Sequence, residues 1–109
     1  LSKYELVAEA ATKQCPVMLD EITRLDSVQY KGKENALIYN YSIINVKKSD
    51  LPANTADLAA GMMRDTMLSK LKGQAALDMF RKDKVKLVYV FKDMEGKDLF
   101  VFDFKHTEY

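Results

Sequence analysis

The sequence predicts an α+β domain in which two αββ-like units form a four-stranded antiparallel sheet with helices packed on one face. Three observations carry that prediction. Two segments, 36–45 and 98–106, alternate apolar and polar residues with the period of a strand, and each follows a turn rich in polar residues and Gly. Two others, 3–13 and 55–72, repeat apolar residues at helical spacing. The order helix then hairpin occurs twice, which suits helices layered on a shared sheet.

The first helix is expected from Lys3 to about Lys13, with Leu6, Val7, Ala10 and Ala11 on one side and Glu5 and Glu9 flanking them. Pro16 disfavours helical geometry at Cys15, so the helix should stop near Gln14. Residues 17–24 have mixed periodicity and read as irregular. An extended segment from Leu25 to Tyr30, a polar turn at 31–35 and a strand from Ala36 to Asn45 make the first hairpin. Leu37, Tyr39, Tyr41 and Ile43 share one face of that strand, and Ile38, Asn40, Ser42 and Ile44 the other.

After a polar connector, Asn54 or Thr55 can cap a second helix whose broad stripe is Leu58, Ala59, Met62, Met63, Thr66 and Met67. Gly73 reads as the residue just past its end, and a short third helix runs from Gln74 to about Lys82. The last hairpin joins Val85–Phe91 to a strand beginning at Asp98 through Asp93-Met94-Glu95-Gly96. On the returning strand Phe100, Phe102 and Phe104 face one way, and Leu99, Val101, Asp103 and Lys105 the other. The Phe row and the Leu37-to-Ile43 row are expected to meet the helices.

Composition narrows the function. The 109 residues form one domain, 48% of them hydrophobic, and 17 Lys plus Arg against 16 Asp plus Glu leave a charge of +1. That balance argues against a nucleic-acid partner. The basic stretch Lys70, Lys72, Arg81, Lys82, Lys84 and Lys86 lacks base-reading companions and reads as a solvated face. No apolar run is long enough to span a membrane. The chain opens without an initiator Met, so any export signal or lipid-attachment segment is expected upstream.

Catalytic vocabulary is sparse. One Cys and one His, Cys15 and His106, make a poor nucleophile–base pair and have no metal-type spacing, so neither metal nor cofactor is expected. Cys15 reads as a small apolar residue at a helix end. Asp93 and Glu95 read as a solvated hairpin tip. The candidate polar site is Asp20, Arg24 and Asp26, which would serve a small hydrolase or lyase if the three converged in a pocket. Candidate partner-binding residues are Tyr39, Tyr41 and Tyr89, as an amphipathic face on the open side of the sheet, and Met62, Met63 and Met67, as an adaptable groove.

Three stretches, Lys13-Gln14-Cys15-Pro16-Val17-Met18-Leu19-Asp20, Thr23-Arg24-Leu25-Asp26-Ser27-Val28 and Leu37-Ile38-Tyr39-Asn40-Tyr41, resemble small uncharacterised bacterial proteins made with an export signal. The likeness covers residues 10–45 and, more loosely, 85–104. It implies an origin in the bacterial envelope, periplasmic or lipid-anchored, and nothing about catalysis. The expectation is a non-catalytic envelope domain binding a protein or a small apolar partner. The alternatives are the Asp20/Arg24/Asp26 enzyme and a module that self-associates through a free strand edge.

Overall fold

The computed structural model describes residues 2–109. The chain runs α1 (Lys3–Thr12), β1 (Val17–Met18), β2 (Thr23–Lys31), β3 (Ala36–Ile43), α2 (Ala53–Leu71), α3 (Asp78–Lys82), β4 (Lys86–Lys92) and β5 (Asp98–Phe104), with short 3-10 turns at 48–50 and 75–77. The sheet order is β1-β2-β3-β4-β5.

This corrects the expected four-stranded antiparallel sheet in two ways. The sheet is five-stranded and mixed, because β3 and β4 pair in parallel from Ala36↔Lys86 to Ser42↔Lys92. The connection from 44 to 85 carries two helices, which is ample for a crossover over one sheet face. Such a crossover brings the second hairpin back beside the first with its leading strand parallel. The extra strand comes from residues read as irregular. The Asp20 carboxylate accepts the amides of Ile22 at 2.9 Å and Thr23 at 2.7 Å, which folds the chain back. Val17 and Met18 then pair with Leu25 and Arg24.

Ser2 caps α1, its hydroxyl accepting the Glu5 amide at 3.2 Å. Tyr4 and Ala8, one turn apart, are the buried residues of the helix, and Tyr4 meets Phe80 edge-on at 5.6 Å. At the outer edge of β2 the Thr12 hydroxyl donates to the Val28 carbonyl and accepts from the Val28 amide, at 2.8 and 2.9 Å. α1 thus stands in where β1 ends.

Pro52, with no side-chain cap, precedes α2, so Asn54 and Thr55 lie inside its first turn rather than capping it. Gly73 does follow the helix end, at φ 75°, where a side chain would be strained. The core-facing, half-buried stripe of α2 is rotated from the expected one. Ala60, Met63, Met67, Leu68 and Leu71 pack toward the core, while Leu58 and Met62 are 69% and 65% exposed. The segment read as a third helix begins with a 3-10 turn before α3.

The core lies between the helices and one sheet face. Leu37, Leu87 and Phe104 are essentially inaccessible there, joined by Val28, Tyr89, Phe91 and Phe102. Both rows expected to meet the helices do so. Asn35 ties the two hairpins together at one end, its carboxamide donating to the carbonyls of Asp83 and Lys84 at 2.9 and 3.0 Å.

Candidate functional site

A run of aromatic rings crosses the helix-bearing face. Tyr39 stacks on Tyr89 with ring centroids 5.0 Å apart, and Tyr41 on Phe91 at 4.7 Å. Phe91 meets Phe102 edge-on, and Phe102 stacks on Phe100. The side-chain alternation of β3 places Leu37, Tyr39, Tyr41 and Ile43 on this face, and the parallel register puts Tyr89 beside Tyr39 and Phe91 beside Tyr41. The tyrosines therefore lie on the helix-bearing side, not on the open side of the sheet. The open face carries Ile38, Val88, Val90 and Val101 instead.

The six tyrosines divide by the fate of their hydroxyls. Tyr4 donates to Asp83, Tyr30 to the Asn35 side-chain oxygen at 2.6 Å, and Tyr109 to the Val85 carbonyl at 2.6 Å. The hydroxyls of Tyr39, Tyr41 and Tyr89 bond to no protein group among the described residues, and none of the three is sealed from solvent. Burial pushes the Tyr41 phenol up to about 12, with the Tyr39 hydroxyl and the Cys15 thiol adding to it. Burial also raises Tyr39 and Tyr89, and Tyr89 is raised further by Tyr39, Tyr41 and Tyr109. No cation contributes to any of the three.

At the Ile43 end of this face a cavity of about 350 Å³ opens beneath the first half of α2. Its walls are Ile22 and Thr23 from the start of β2, Ile43 from β3, Val46 and Leu51 from the connector, Thr55, Ala56, Ala59 and Met63 from α2, and Leu99 and Phe100 from β5. No charged side chain lines it. Ala56 and Ala59 leave the space that larger residues would fill. Leu99 joins the wall against expectation. The register slips between Phe91 and Lys92, so the β5 bulge breaks the alternation that assigned Leu99 to the other face.

Met62, Met63 and Met67 line one shallow groove of about 280 Å³ with Thr66, and Met63 reaches from it into the cavity wall as well. The polar candidates separate. Asp20 is occupied by the two amides of its own turn, which hold its carboxyl below the usual range. Arg24 and Asp26 are paired at 2.5 Å, and Asp26 also accepts from Ser42. No hydrogen bond or ion pair links Asp20 to Arg24 or Asp26 among the described residues. A cleft of about 280 Å³ beside Arg24 and Ser42 is bounded by Asp93, Met94 and Gly96.

Asp93 is not a solvated tip. It is 2% exposed and accepts the amides of Lys48 and Glu95 at 2.8 Å and of Lys97 at 2.9 Å. Cys15 is half-buried, its thiol directed to the Ala11 carbonyl at 3.4 Å. Arg81 in the basic stretch serves the fold, donating to Tyr109, Leu71 and Gln74 carbonyls. Along β5, the Asp103 carbonyl is taken by Arg64 at 3.1 Å, which blunts the free edge. No cluster of potential metal ligands occurs among the described residues, and no helix is long and apolar enough to cross a membrane.

Among solved structures, the chain is similar to a putative secreted protein from Pseudomonas aeruginosa. The two share 16% identity at a TM-score of 0.73, over 95% of this chain and 87% of the other. That likeness establishes a shared fold. No curated protein matches the sequence. A family model described as a domain of unknown function, DUF8479, matches residues 2–100, and the chain belongs to that family.

Proposed function

We propose that this is a non-catalytic binding domain of the bacterial envelope, and that its ligand is a small apolar molecule held beneath α2. The observation that carries the reading is the cavity of about 350 Å³, walled by apolar side chains and the two threonines Thr23 and Thr55. Ligand sites are typically concave, mostly apolar and about 300–1,000 Å³, with a few polar groups to fix orientation. α2 is suited to admit a ligand, because none of its residues is fully buried. The envelope location draws support from the resemblance of residues 10–45 to exported bacterial proteins and from the fold shared with a putative secreted protein.

The test is saturable binding of N-phenyl-1-naphthylamine, whose fluorescence rises in apolar surroundings. The native chain is expected to bind it, and Ala59→Phe, which fills the cavity, to lose at least tenfold in affinity. Val101→Ser, on the open sheet face, leaves binding unchanged. Absence of saturable binding by the native chain, or undiminished binding by a folded Ala59→Phe variant, overturns the reading.

A further inference from the structure

The cavity and the tyrosine row lie on the same, helix-bearing face of the sheet. Ile43 lines the cavity, and Tyr41 and Tyr39 follow it on the same face of β3 at steps of about 7 Å. Phe100, in the opposite wall, leads back through Phe102 and Phe91 to Tyr41. A molecule seated in the cavity and extending along β3 passes from an uncharged apolar chamber to three phenol hydroxyls that the protein itself leaves unbonded.

We infer that the ligand is a neutral single-chain amphiphile, its hydrocarbon chain in the cavity beneath α2 and an uncharged hydroxyl- or ester-bearing head at Tyr39, Tyr41 and Tyr89. This rests on the binding reading above. Each phenol both donates and accepts, which matches a head of alcohol and ester oxygens. A carboxylate or phosphate head is a poor match. It would shed water beside stacked rings with no Lys or Arg among the groups that perturb the three phenols, and a desolvated anion without a counter-charge is costly. Arg64 and Arg81 lie over the Phe104 and Tyr109 rings and bond to Glu108 and to the Tyr109 carbonyl.

The experiment titrates the native chain with monodecanoylglycerol and with decanoate at pH 7, each displacing N-phenyl-1-naphthylamine. The glyceride is expected to bind at least tenfold more tightly than the acid. In a Tyr39→Phe/Tyr41→Phe/Tyr89→Phe variant, which keeps every ring, that ratio falls toward one while the naphthylamine still binds. Equal or tighter binding of decanoate, or an unchanged ratio in a triple variant of native circular dichroism, overturns the inference and leaves the cavity reading standing. Loss of naphthylamine binding by the native chain removes both.

Discussion

Tyr41 and Phe91 lie face to face across the parallel junction of the sheet, their ring planes 12° apart and centroids at 4.7 Å. The pair joins the two hairpins where no turn connects them. A double-mutant cycle with Tyr41→Leu and Phe91→Leu is expected to return a coupling of about 0.5–1.5 kcal/mol in urea unfolding, the range for stacked aromatic pairs. A coupling indistinguishable from zero would show that the stack follows from the fold without stabilising it.

That junction also marks where sequence reading stopped. The hairpins were legible because Gly96 and the alternating Phe100, Phe102 and Phe104 report local geometry. Parallel pairing of β3 with β4 reports the path of the intervening helices, and no local pattern records it. β1 escaped for a related reason. Two residues are too few to show alternation, and the Asp20 turn that creates the strand leaves no period behind.

Asp93 offers a test of pH dependence. The Lys48 amide, then those of Lys97 and Glu95, hold its carboxyl below the usual range. Because the folded pKa is depressed, the stabilisation is fully present above the unfolded value of about 3.9 and is lost as pH falls through the folded value. Asp93→Asn turns an amide donor toward amide donors, so it should lower the melting temperature at pH 7. The gap from the native chain should close as the pH drops below about 4. A gap that is the same at pH 7 and in acid would remove the carboxylate from the explanation.

The candidate site was half legible. Tyr39, Tyr41, Tyr89 and Met63 stood out by size and chemistry, and the structure sets them on one face or in the cavity wall. The cavity itself depends on what is small or displaced. Ala56 and Ala59 leave room, and the β5 bulge turns Leu99 inward. Small residues on a helix carry no signature of an opening, and a bulge inverts the very alternation used to assign faces.

The edge of β2 supplies the last prediction. Beyond the short β1, the Val28 amide and carbonyl have no strand to pair with, and the single hydroxyl of Thr12 serves both. Thr12→Val keeps the shape and removes both bonds, leaving two part-buried backbone groups unmet at a cost of about 1–3 kcal/mol. Thr12→Ser keeps the hydroxyl and should recover most of that loss. Urea unfolding gives the magnitude, and amide hydrogen exchange gives the place: in Thr12→Val the Val28 amide should exchange faster relative to its neighbours than in the native chain. A global loss without local acceleration at Val28 would assign the effect to the packing of α1 rather than to the substitute strand.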